Sequence, residues 1–137
     1  MKKFEEKELE INEAVIYCRV SSRKQKVAGD GLASQQQRCL EYAQYKGLEV
    51  IRVFQDDASG GLIDRPGLKE MLAFVHKRGQ DNTIVLIDDL SRLARGLMQH
   101  WQLREAITKA GGILKSPAIE FGEDSDAQLI ENMMASV

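Results

Sequence analysis

The sequence predicts an α/β domain: a mostly parallel central sheet of four to five strands, flanked by helices in three layers, with an amphipathic helix at the C-terminal end. Three observations predict it. Short apolar runs of strand length alternate with longer runs of helical periodicity. Glycines stand where the helical patterns stop, at Gly47, Gly79 and Gly111-Gly112. The unusual polar residues gather in segments that follow strands, the edge at which open α/β sheets bind ligands.

Taken in order, residues 1–13 read as a charged extension, opening Met1-Lys2-Lys3-Phe4-Glu5-Glu6 without the apolar stretch of a signal peptide. Val15–Val20 closes an apolar run and reads as a buried strand. Leu32–Tyr45 reads as a helix and Val50–Phe54 as the second strand. In the next helix, Leu68–Arg78, residues Leu68, Met71, Leu72 and Val75 form one stripe, and Pro66 suits its first turn. Ile84–Ile87 is the third strand, Leu97–Ala110 a helix, and Ile113–Leu114 a fourth strand reaching as far as Ile119. The last helix, Ala127–Val137, sets Leu129, Ile130, Met133, Met134 and Val137 in two adjacent apolar columns. It stops without a cap or polar tail, which predicts that the natural chain is longer. Residues 14–137 then form one domain, with no repeat or linker dividing them.

Composition narrows the function. With 43% hydrophobic and 29% charged residues the chain is an ordinary globular one, and no apolar run approaches membrane-span length. Its net charge is -2, whereas a domain that grips duplex DNA by itself is usually basic. Cys18 and Cys39 make no Cys-x-x-Cys pair and read as reduced, buried thiols of a cytoplasmic protein. There is no Gly-x-Ser-x-Gly elbow for a Ser-His hydrolase and no Gly-x-Gly-x-x-Gly after the first strand for a dinucleotide fold. His76 and His100 lie within helical patterns and read as packing or surface residues.

The chemistry-bearing residues begin at the end of the first strand. Alternation puts Tyr17, Arg19 and Ser21 on one side: a phenol, a guanidinium and, where the strand gives out, a hydroxyl. A buried arginine is costly unless an anion meets it, so a serine beside it is a candidate nucleophile for a phosphate. The bland alternative is a solvated strand end in which Ser-Ser is turn chemistry. Two later patches weigh against that alternative: Gln55-Asp56-Asp57-Ala58-Ser59-Gly60-Gly61 running on to Asp64-Arg65-Pro66-Gly67, and Leu90-Ser91-Arg92-Leu93-Ala94-Arg95.

Together with Tyr-x-Arg-Val-Ser and Gln25, these patches resemble the catalytic domain of the serine recombinases, the resolvase/invertase and large serine integrase family. The resemblance runs from about Ala14 to the C-terminus. It implies that Ser21 attacks a DNA phosphodiester to give a covalent phosphoserine, conserving the bond for religation without ATP. It implies that Arg19, Arg65, Arg92 and Arg95 stabilise the transition state, for which planar, bidentate guanidiniums are suited. Gln25 and Gln35 match the family's two loop-flanking glutamines, with a role on the scissile phosphate or in holding the loop. Asp56 matches its acidic residue after the second strand, placed to orient an arginine or a hydroxyl. Ser91 departs from the pattern, standing where most members carry an aspartate, and leaves the general acid and base unassigned.

The same resemblance implies double-stranded DNA as partner, held mainly by a further C-terminal region. It also implies homodimers that pair into tetramers through the last helix, with no cofactor, no metal and no membrane partner. The Ser22–Gly31 loop and Ser-Arg-Leu-Ala-Arg lean toward the integrase-like and transposon branches. Two other classes stand beside this reading. One is a Mg²⁺-dependent phosphoryl-transfer or phospho-receiver domain built on Asp56, Asp57, Asp88 and Asp89, which gives the arginines no task. The other is an oligomerisation module without chemistry.

Overall fold

A computed structural model describes residues 11–19, 31–56, 65–88 and 96–120. The elements are β1 (Glu13–Arg19), α1 (Leu32–Lys46), β2 (Glu49–Asp56), α2 (Pro66–Arg78), β3 (Thr83–Leu86), α3 (Gly96–Ala110), β4 (Gly112–Lys115) and the short α4 (Pro117–Glu120). The four strands form one sheet in the order β2-β1-β3-β4, and every pairing is parallel. No described helix is long and apolar enough to cross a membrane.

Alternation along the strands builds two cores. Val15, Tyr17, Phe54, Val85 and Ile87 meet Leu68, Met71 and Val75 of α2 and Leu103 and Ile107 of α3 on one face. Ala14, Ile16, Cys18, Ile84 and Leu86 meet Cys39, Tyr42 and Ala43 of α1 on the other. Each fully buried Val, Leu, Ile, Phe or Met side chain among them contributes about 1.5–3 kcal/mol. The result is the three-layer arrangement the alternation predicts. The chain leaves β1 toward β2 and then returns across it to β3, so connections diverge at the carboxyl ends of β1 and β3. That divergence makes the crevice in which doubly wound sheets place ligands.

Several boundaries move. β1 opens at Glu13, and Ile11 already packs on the α1-side core, so the fold begins within the stretch that reads as an extension. Gly47 ends α1 in the left-handed region at φ 70, its N–H reaching back to the last carbonyls. Gly111 ends α3, but Gly112 belongs to β4, where an added Cβ would meet Val85 Cγ2 at 3.0 Å and Ile107 Cγ2 at 3.1 Å. β4 does not reach Ile119, because Pro117 starts a helical turn, α4, instead. The last helix, 127–137, and residues 1–10 lie outside the described residues.

β2 carries an irregularity that matters for the site. Its register on β1 slips by one residue between Ala14 and Val15, from Ala14↔Val50 to Val15↔Arg52. Ile51 and Phe54 therefore both reach the α2-side core although they are three positions apart, an odd spacing that regular alternation would put on opposite faces. A one-residue slip flips every later side chain to the other face. Here it brings Phe54 level with Tyr17 and Asp56 level with Arg19.

Candidate active site

Asp56 is the hub of a buried polar cluster at the carboxyl edge of the sheet. Its Oδ2 accepts the Tyr17 hydroxyl at 2.6 Å and the Leu68 N–H at 3.0 Å, and its Oδ1 accepts the Gly67 N–H at 2.7 Å. The two N–H groups belong to the first turn of α2, whose N-cap residue, Arg65, makes no side-chain cap of its own. Asp56 thus caps α2 from a neighbouring strand and meets the positive end of its dipole. Gly67 permits this closeness: a Cβ there would lie 2.4 Å from the Gln55 carbonyl oxygen.

The cap fixes Arg65. Its residue is 2% exposed, and Arg19 is 8% exposed, so two guanidiniums are buried on the face that also holds Tyr17 and Asp56. Burial, and next the Arg19 charge, press the Arg65 guanidinium below its ordinary value, while Tyr17 and Asp56 pull the other way. Burial above all, then the hydrogen bond to Asp56, raises the Tyr17 phenol, which keeps it a neutral donor. Arg65 Nε and Nη1 are buried with no hydrogen-bond partner among the described residues. Buried donors left unpaired cost about 1–3 kcal/mol each, more when charged. An incoming oxyanion removes that cost.

Gln35 sits on the other side of β1. Its Oε1 accepts the Arg19 N–H at 3.1 Å and its Nε2 donates to the Arg19 carbonyl at 2.9 Å. The side-chain amide acts as a one-residue extension of the sheet and holds the last peptide of β1, two residues before Ser21.

The resolvase N-terminal domain model matches this chain over residues 14–137. The chain belongs to the resolvase family of serine recombinases. The resolvases of transposon Tn501 from Pseudomonas aeruginosa and transposons Tn1721 from Escherichia coli are each 34% identical over 97 residues, 69% of this chain and 48% of theirs. The chain spans about half the length of these curated relatives. The C-terminal catalytic domain of ISC1926 TnpA, an IS607-like serine recombinase, superposes with a TM-score of 0.62 at 35% identity, covering 76% of this chain and 66% of that one. The N-terminal catalytic domain of TP901-1 integrase gives 0.61 at 22% identity, over 90% and 97%; that likeness speaks to the fold.

Within this resolvase-family fold, five of the ten site residues named from the sequence fall in the described part. Tyr17, Arg19, Asp56 and Arg65 gather on one face, and Gln35 touches the backbone of Arg19. Ser21, Gln25, Ser91, Arg92 and Arg95 lie outside the described residues, as do Asp57 and Asp89.

The four-aspartate alternative fares poorly where it can be traced. Asp56 engages Tyr17 and α2 on one face of the sheet. Asp88 engages Arg38 of α1, which packs on the other face, with Arg38 Nε donating to Oδ1 at 2.9 Å. The described residues hold no group of three or more His, Cys, Asp or Glu placed to share an ion. Asp88 is itself buried.

Two contributors escaped the sequence reading. Gly67 belongs to a motif already singled out, and its position directly after the helix-starting proline was the available signal. Arg38, inside Gln-Gln-Gln-Arg, looks like a surface residue; its only hint is its spacing of three from Gln35.

Proposed function

We propose that this chain is the catalytic part of a site-specific DNA recombinase in which Ser21 is the nucleophile. The Ser21 oxygen attacks a backbone phosphorus, the bond from phosphorus to one sugar oxygen breaks, and the proton lost by the serine is balanced by one gained at the departing sugar hydroxyl. The resulting phosphoserine ester is reversed when a hydroxyl of the partner strand attacks, so strands exchange and rejoin without ATP. Arg19 and Arg65 stabilise charge on the phosphoryl oxygens, joined by Arg92 and Arg95. Tyr17, Asp56 and Gln35 hold those groups in place; Gln25 and Ser91 complete the set.

One observation carries this reading: two guanidiniums are buried together beside the strand that leads into Ser21, and one of them has donors with no partner among the described residues. The family, and a match that covers 48% of the relatives' length, support a further region that grips DNA, and action as dimers that pair into tetramers. The test is to incubate the natural gene product with duplex DNA spanning its own locus, quench with detergent, digest with nuclease and analyse peptides by mass spectrometry. A nucleotide phosphate on the Ser21 peptide, lost in Ser21→Ala while DNA binding persists, is the expected result. Equal cleavage by Ser21→Ala defeats the reading.

A further inference from the structure

Helix α1 holds the carboxyl ends of two strands. Gln35 clasps the Arg19 peptide at the end of β1. Arg38, three residues on and on the same side of the helix, clasps Asp88 just beyond β3. Arg38 Nε donates to Asp88 Oδ1 at 2.9 Å, and Nη2 lies 2.8 Å from Oδ2 as an ion pair rather than an aligned hydrogen bond. The Asp88 backbone is also held: its carbonyl accepts Ser116 Oγ at 3.0 Å and Ala118 N–H at 3.3 Å, and the preceding Ile87 N–H donates to Lys115 O at 3.1 Å.

The Asp88 side chain is 6% exposed. The Arg38 side chain is 38% exposed, so the pair is half-buried, and such a pair adds little net stability by itself. What a two-point guanidinium–carboxylate contact supplies is fixed geometry. The place it fixes is telling. Arg19 stands just before Ser21, and Asp88 stands just before Ser91, Arg92 and Arg95 in the sequence. Both catalytic segments leave the sheet from points tied to adjacent turns of one helix.

We propose that Arg38 is a positioning residue: through Asp88 it sets where the segment bearing Arg92 and Arg95 begins, relative to the end of β1 that precedes Ser21 in the sequence. This inference rests on the reading of Ser21 as nucleophile. A misplacement of about 1 Å can cost on the order of a hundredfold in rate, so loosening this tie should slow chemistry while sparing affinity.

The experiment measures single-turnover formation of the Ser21–DNA adduct by the natural gene product, with DNA affinity and melting temperature alongside. The variants are Arg38→Gln, Asp88→Asn, the two together, and Arg38→Lys. Arg78→Gln is the control, because Arg78 ties Glu13 and Thr83 at the opposite, amino edge of β1 and β3. Arg38→Gln and Asp88→Asn should each slow adduct formation about tenfold or more, with affinity within about twofold of wild type. The double variant should be no slower than the slower single, since the two act as one unit. Arg38→Lys, which keeps the charge without the fork, should recover part of the rate and stays informative if Arg38→Gln folds poorly. Arg78→Gln should match the wild-type rate below its melting temperature. Wild-type rates in Arg38→Gln and Arg38→Lys, multiplying losses in the double variant, or an equal loss in Arg78→Gln would each overturn the clamp. A wild-type protein that forms no adduct removes the Ser21 reading and this inference with it.

Discussion

Three acidic protons are held inside the fold by burial, and at the scale of single residues they make it sensitive to alkali. Burial pushes the Cys18 thiol from an ordinary 9.0 up to about 12, with the Asp88 charge adding to it. Burial raises Cys39 as well, followed by its neighbour Cys18, and raises Tyr17. The sign follows from proton linkage. Above about pH 9 the unfolded chain sheds its thiol protons while the folded chain keeps them, so the unfolded state binds fewer protons and gains. The stabilisation is complete below pH 9 and is lost as pH climbs toward 12. Melting temperatures recorded across that range should fall with rising pH, and a Cys18→Ala, Cys39→Ala variant should fall less steeply. Equal slopes for the two proteins would contradict the account. The same burial makes both thiols slow to alkylate in the native state, in keeping with their reading as reduced, buried thiols.

At the scale of elements, the junction of β2 and α2 decides the geometry of the cluster. A methyl group on Gly67 meets the Gln55 carbonyl oxygen at 2.4 Å and Asp56 Oδ1 at 2.9 Å, backbone and cap together. Relief requires α2 to back away from Asp56, carrying Arg65 with it. Gly67→Ala should therefore cost about 1–3 kcal/mol, the range for overpacking. Gly47→Ala makes a useful contrast, because nothing lies within 4 Å and only the left-handed φ of 70 resists, at about 1 kcal/mol. Chemical denaturation checks both, and a Gly67→Ala protein as stable as wild type would refute the close approach. Much at this scale was legible in the sequence. Alternating periodicities gave the order of elements, and Gly47 and Gly79 marked helix ends, because those signals are local. The slip in β2 was not legible: Val-Ile-Arg-Val-Phe is apolar on both faces, so no parity can be read from it. Nor was the partner of Asp88, since a contact across fifty positions leaves no local trace. The Tyr17 and Arg19 side of β1 was readable from alternation; that Asp56 joins it depends on the slip.

At the scale of the whole molecule, chemistry and grip are separable. The carboxyl edge concentrates buried cations, yet 19 basic residues are outweighed by 21 acidic ones. Affinity for duplex DNA comes chiefly from many exposed cations displacing counterions, and a net charge of -2 supplies little of that. A handful of arginines in a crevice discriminates a phosphate already delivered there but does not recruit a long polyanion. The 137-residue chain on its own should therefore bind a non-specific duplex more weakly than about 10⁻⁶ M at physiological salt. Its affinity should also change only shallowly with salt, since few phosphates are neutralised. Fluorescence anisotropy of a labelled duplex, titrated at several salt concentrations, reads both quantities. Tight binding with a steep salt slope would mean that this domain carries its own DNA-gripping surface, and the division of labour drawn from its charge would be wrong.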